Sequence, residues 1–158
     1  MRELWVSGLL ALLLLAAIVW MVAPLSPGAV VLQFAWTPRA FGEIVHLWPP
    51  DDLARYRLHL PLDTALLLAY GSFGWLLATR TALFAALTGP GRAFARFGLP
   101  LAAVFDAAEN AFHWWLTEVP RFDAPMTYLM SSACSACKWS LLLGFGALVL
   151  YALARSPD

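Results

Sequence analysis

Charge is what this chain has least of. Only 13% of its 158 residues are Asp, Glu, Lys or Arg, about half the quarter or so that a soluble domain carries. Such a chain cannot build a solvated globular surface. The ten basic residues balance the ten acidic ones, so there is no basic excess of the kind nucleic-acid binding requires. Lysine is almost missing: nine of the ten basic residues are arginine, and Lys138 is alone. Cysteine is scarce as well, with Cys134 and Cys137 the whole supply. No nucleophilic triad, phosphate-binding loop or internal repeat is present, and no cofactor is expected. What is abundant is apolar: 61% of residues are hydrophobic and 14% aromatic, which excludes a disordered chain. The class left is a small integral membrane protein.

Four stretches are long enough to cross a bilayer core, which takes about 20 residues. They run from about 4–23, 61–87, 99–119 and 125–153, with an outer loop at 24–60. The first follows Arg2 and invites comparison with a signal peptide. Its apolar run is longer than a signal core, and Met21-Val22-Ala23-Pro24 is a poor cleavage region, so it reads as a retained span. Pro24, Pro27, Pro49, Pro50, the Gly89-Pro90-Gly91 turn, Pro100, Pro120 and Pro125 mark boundaries. The expected fold is an all-α membrane protein: one transmembrane domain over 1–158, an antiparallel four-helix transmembrane bundle with an amphipathic helical first loop.

Four spans would put Arg2, Arg80, Arg92, Arg96 and Arg155 on one side and Arg39, Arg55, Arg57 and Arg121 on the other. The margin is one arginine, and the short second loop is basic without any acid. The positive-inside rule then places both termini in the cytoplasm, as expected for a bacterial inner-membrane protein. Trp5, Trp20, Trp36, Trp48, Trp114, Trp115 and Tyr151 fall near the proposed water boundaries, as in an interfacial belt. Trp75 and Trp139 fall mid-span and read as packing residues. In the outer loop, Thr37-Pro38 has the form of a capped helix start. Phe41, Ile44, Val45 and Trp48 then recur at helical spacing. A second short helix is expected from Asp51 to Leu60. The segment is either a plain amphipathic connector or a lid over an outward-facing cavity.

The third span holds the informative pattern. Asp106, Glu109, Asn110 and His113 stand at i, i+3, i+4 and i+7 and so share one helix face. A charged residue inside a span costs about 2.5–3.5 kcal/mol on insertion scales, so this face must turn inward. In the fourth span Thr127, Ser131, Cys134 or Ser135, and Lys138 form a second polar stripe. At 1.5 Å per residue Glu109 lies roughly 15 Å in from Val119, Lys138 roughly 18 Å in from Met126, and Asp106 roughly 20 Å in. The spacing therefore predicts that Lys138 pairs with Glu109 or Asp106. Asp63 and, one heptad on, Tyr70 close the cluster from the second span, with His59 above them. The candidate set is Asp106, Glu109 and Lys138 for chemistry, and Asp63, Tyr70, Asn110 and His113 for ligand binding. The plain alternative is a buried polar network that only fixes helix register.

The run Leu60–Tyr70 (LPLDTALLLAY), the segment Phe105–Asn110 (FDAAEN) and Lys138-Trp139 resemble an uncharacterised family of small bacterial four-span membrane proteins. The likeness covers roughly Leu32 to Leu150. It implies the four-span architecture and carries no activity with it.

These residues support several functions. One is a membrane-embedded site that binds, or also transforms, a lipid or amphipathic small molecule, with Asp106 or Glu109 as acid–base candidate. Another is a non-enzymatic subunit or assembly factor with a protein partner or a second copy in the membrane. Thiol redox through Cys134-Ser-Ala-Cys137 superficially resembles quinone-linked disulfide-generating families, including vitamin K epoxide reductase. Those use a second cysteine pair, which this chain lacks, and Cys134 falls about two turns inside its span, away from a helix N-terminus that would activate it. Metal or haem binding by Asp106, Glu109 and His113 is disfavoured by a Glu-x-x-x-His spacing that di-iron bundles do not use.

Overall fold

A computed structural model describes residues 1–119 and 121–155. Pro120, one of the expected boundary residues, lies outside the described residues. Among them the chain is all helical, with α1 at Arg2–Val22, α2 at Ala29–Gln33, α3 at Pro38–Leu47, α4 at Pro50–Arg80, α5 at Gly89–Leu116 and α6 at Pro125–Ala154. Three of them, α1, α4 and α6, are long and apolar enough to cross a membrane. At 28 residues α5 is of comparable length, but Arg92, Arg96, Asp106 and Glu109 dilute its apolar character. Its neighbours are α4 on one side and α6 on the other, while α1 packs along α4.

Local chemistry explains most helix limits. Thr37 caps α3 by accepting a hydrogen bond from the Ala40 amide at 3.1 Å, with Pro38 in the first turn. α4 opens on Pro50 with Asp51 and Asp52 in its first turn, where carboxylates oppose the helix dipole favourably. Sequence reading expects a separate helix over 51–60 and a span beginning at Pro61. Instead one 31-residue helix runs straight through Pro61. A proline removes one i→i−4 hydrogen bond, but neighbouring helices can hold the segment helical. At 1.5 Å per residue α4 is about 46 Å long, more than the ~30 Å hydrocarbon thickness. Its other end falls at Arg80 rather than near Leu87. Thr81 turns extended there, donating to the Leu77 carbonyl at 2.7 Å and accepting from the Leu83 amide. The following turn buries Phe84 and is held by Arg92, which donates to the carbonyls of Ala85 and Leu87.

Two apolar clusters lie at opposite ends of α4, α5 and α6. One gathers Leu32, Phe41, Ile44, Trp48, Tyr56, Leu60, Leu116 and Tyr128. The other gathers Phe84, Ala95, Leu99, Phe145 and Ala152. Trp48, placed by sequence in the interfacial belt, is buried in the first cluster, donating its indole N–H to the Pro27 carbonyl at 2.9 Å and packing on Tyr56. Between the clusters α5 and α6 turn buried polar residues inward, and α4 adds the half-buried Asp63 and Tyr70. Leu13, Leu68, Val104 and Leu143 are among the large apolar side chains left on the outside.

Small residues set the helix spacing. A Cβ on Gly74 would stand 2.5 Å from Leu99 Cβ, and one on Gly71 would stand 3.2 Å from Ala103 Cβ. Gly74→Ala should therefore destabilise the protein. Overpacking costs about 1–3 kcal/mol, against a helix-propensity gain of about 0.8–1.0 kcal/mol. Thermal unfolding in detergent checks this. An unchanged or raised midpoint would mean that α4 and α5 are not held at this separation.

Candidate functional site

The spacing of the α5 stripe carries through to burial. Asp106, Glu109, Asn110 and His113 are all buried, whereas Val104 on the opposite face is 63% exposed. Lys138 enters from α6, a side chain also buried. Its Nζ lies 3.0 Å from Asp106 Oδ1 and 2.7 Å from Glu109 Oε2, so one ammonium serves both carboxylates, which stand about one helical turn apart. The second oxygen of Asp106 accepts a hydrogen bond from Tyr70 Oη of α4 at 3.0 Å. Asn110 Nδ2 donates to Asp63 Oδ2 at 2.7 Å, tying α5 to α4 a second time. Asp63 and Tyr70 are one heptad apart, so they meet the α5 stripe on the same face.

His113 faces away from this group and toward the capped end. Its Nδ1 is hydrogen-bonded to Tyr56 Oη at 2.5 Å, and its ring stands edge-on to Phe41 of α3. Thr117 donates to the His113 carbonyl, and Arg57 donates in turn to Thr117 Oγ1. Sequence reading overlooked Tyr56. Tyr56, Asp63 and Tyr70 form a continuous heptad series, but a helix boundary assumed at Pro61 cut the series in two. The seven candidates thus divide. Asp63, Asn110, Tyr70, Asp106, Lys138 and Glu109 form one interhelical cluster, and His113 belongs to a separate one with Tyr56.

A cavity of about 800 Å³ opens beside this cluster, within the range of small-molecule sites. One wall is α1, contributing Leu9, Leu12, Leu15 and Val19 among others. Leu66 and Phe73 of α4 and Leu142 of α6 continue the apolar lining. Its polar floor consists of His59, Asp63, Tyr70, Asp106 and Lys138. Glu109 does not reach it and stands behind Lys138. Gln33 of α2 and Trp139 of α6 border the cavity, and Trp139 Nε1 donates to Gln33 Oε1 at 2.9 Å. The outer-loop segment nearest the cavity is therefore α2. α3 instead plugs the end of the fold with Phe41 and Ile44.

Cys134 and Cys137 are free thiols; Cys134 is half-buried, Cys137 exposed, and neither lines the cavity. Among the described residues no group of three His, Cys, Asp or Glu is arranged to hold a metal ion. Comparison with protein-family models, with curated proteins and with solved structures finds no match.

Removing one partner of a buried ion pair costs about 3–5 kcal/mol, because the other charge is left uncompensated. Lys138→Met should therefore lose stability of that order. Adding Asp106→Asn and Glu109→Gln to Lys138→Met should restore much of it, since no charge remains to be stranded. Denaturant unfolding in mixed micelles measures both. Equal stability of wild type and Lys138→Met would remove the ion pair as a constraint on the fold.

Proposed function

We propose that this chain is an integral membrane protein that binds a membrane lipid or another amphipathic small molecule in the cavity between α1, α2, α4 and α6. In this reading α1, α4, α5 and α6 form an antiparallel four-helix transmembrane bundle. α5 crosses the membrane because its polar face is covered by α4 and α6 and its outward face is apolar. Both termini lie on the cytoplasmic side of a bacterial inner membrane, and the chain groups with the small four-span proteins that it resembles.

The observation that carries the reading is the composition of the cavity. Its walls are aliphatic and aromatic over most of their extent, and its few polar groups converge at one place, which is how sites for small amphiphiles are built. A network serving only helix register has no use for an adjacent space of this size. Intramembrane ionisable groups mark functional sites as a rule, and here four of them, His59, Asp63, Asp106 and Lys138, line the space. Of the acid–base candidates, Asp106 and Lys138 can touch an occupant, while Glu109 acts through Lys138 as a positioning residue.

Native mass spectrometry of protein released from membranes tests this. Wild type should carry a bound amphiphile. Leu142→Trp and Leu12→Trp, which fill the cavity from opposite walls, should lose most of it while unfolding at the wild-type midpoint. Asp106→Asn should weaken retention without changing the wall. Identical retention in all four folded proteins would exclude the cavity as the binding site.

A further inference from the structure

Hydrogen-bonding chemistry at the floor of the cavity is lopsided. Two carboxylates on the floor, Asp63 and Asp106, and Glu109 behind it are set against the single ammonium of Lys138, whose contacts go to Asp106 and Glu109. Among the described residues Asp63 receives only the neutral amide hydrogen of Asn110. Arg57, the nearest arginine along α4, is committed elsewhere, donating to Thr117 Oγ1 and to the Trp114 carbonyl. His59 precedes Asp63 by four residues, so the two are neighbours on one face of α4, and both line the cavity. The His59 Nδ1 is hydrogen-bonded to the carbonyl oxygen of Tyr56. A carbonyl only accepts, so Nδ1 carries a proton, and whenever the ring is neutral Nε2 is an acceptor. No described residue donates to it. His59 as a residue is only 6% exposed, and the space it borders is the cavity.

Beside the Lys138 ammonium, already shared between Asp106 and Glu109, an occupant's head therefore meets an imidazole nitrogen and a carboxylate with no cation on it among the described residues, one helical turn apart. A carboxylate or phosphate head with no amine on it would bring a further negative charge beside Asp63 and Asp106 and offer nothing to His59. A hydroxyl has one proton for two acceptors, whereas an ammonium has three and a compensating charge. We infer that the occupant is a cationic amphiphile, a protonated amine seated between His59 and Asp63 with its hydrocarbon chain along the α1 wall. This deepens the proposed binding function and depends on it. The amine could belong to an aminophospholipid headgroup or to a free long-chain amine; the chemistry recognised is the same.

Full-length protein in nanodiscs of phosphatidylcholine is titrated with dodecylamine, dodecanol and dodecanoate, which share one chain and differ in the head. Dodecylamine should bind saturably and about tenfold or more tighter than either of the others, as one charge-assisted hydrogen bond gained implies. Asp63→Asn, which keeps the shape and the contact to Asn110, should abolish that preference, bringing dodecylamine to the affinity of dodecanol for the same variant. Replacing part of the phosphatidylcholine with phosphatidylethanolamine identifies the source. Displacement of dodecylamine supports a lipid amine, and undiminished binding supports a free one. Equal or tighter binding of dodecanol or dodecanoate overturns the inference about the head and leaves the amphiphile site standing. No saturable binding of any of the three overturns both.

Discussion

An ammonium can be held at the middle of a membrane fold only if carboxylates come with it and the remaining hydrogen-bonding valences are filled. Lys138 of α6 meets that requirement through two acids spaced one turn apart on α5, at 3.0 and 2.7 Å. Sliding α6 along α5 by a single turn would separate the amine from one of them, so the pair sets the register of these two helices. The hydrogen bond from Tyr70 to Asp106 extends the same constraint to α4, and Asn110 to Asp63 fixes it at a second level. Three helices are thus indexed against one another by four side-chain contacts, all inside the fold.

In lipid the apolar exterior gains nothing from helix association, and packing with interhelical hydrogen bonds must hold the helices together. The distribution of residues follows that rule. α5 is polar inside and apolar outside, the reverse of a soluble amphipathic helix. The apolar clusters at the two ends of α4, α5 and α6 close off the polar middle, with Phe41, Trp48 and Tyr56 at one end and Phe84 and Phe145 at the other. Close approach is allowed where α4 presents Gly71 and Gly74 to Ala103 and Leu99.

Much of this was readable before any coordinates. The i, i+3, i+4, i+7 spacing of the α5 stripe forced one buried face. Counting residues from the helix ends brought Lys138 to the depth of Asp106 and Glu109, although spacing could not tell that it would contact both. The Thr37-Pro38 start of α3 was legible because capping is local chemistry. What depends on tertiary contacts was not legible. Pro61 and Pro100 read as breaks, yet α4 and α5 continue through them. The Pro61 reading hid Tyr56 from the heptad that includes Asp63 and Tyr70. It also left His59 outside the span, although it lines the cavity. The five-residue α2 carries no periodicity long enough to detect, and the cavity itself is a property of how α1 leans on α4, which no single stretch encodes.

The way α1 is attached divides the molecule's labour. Its packing is chiefly against α4, with Gly8 accepting the Phe73 ring at its surface, and it contributes no side chain to the polar cluster. The groups that would select a head are therefore built into α4, α5 and α6, while the space for a hydrocarbon tail is bounded by a helix that can vary independently. Under the proposed binding function, substitutions along Leu9, Leu12 and Leu15 would retune the length or branching of the chain accommodated without disturbing Lys138 and its acids. If the cavity is used as proposed, the tail it accepts would change under mutation more readily than the head, whose groups are tied to the stability of the fold.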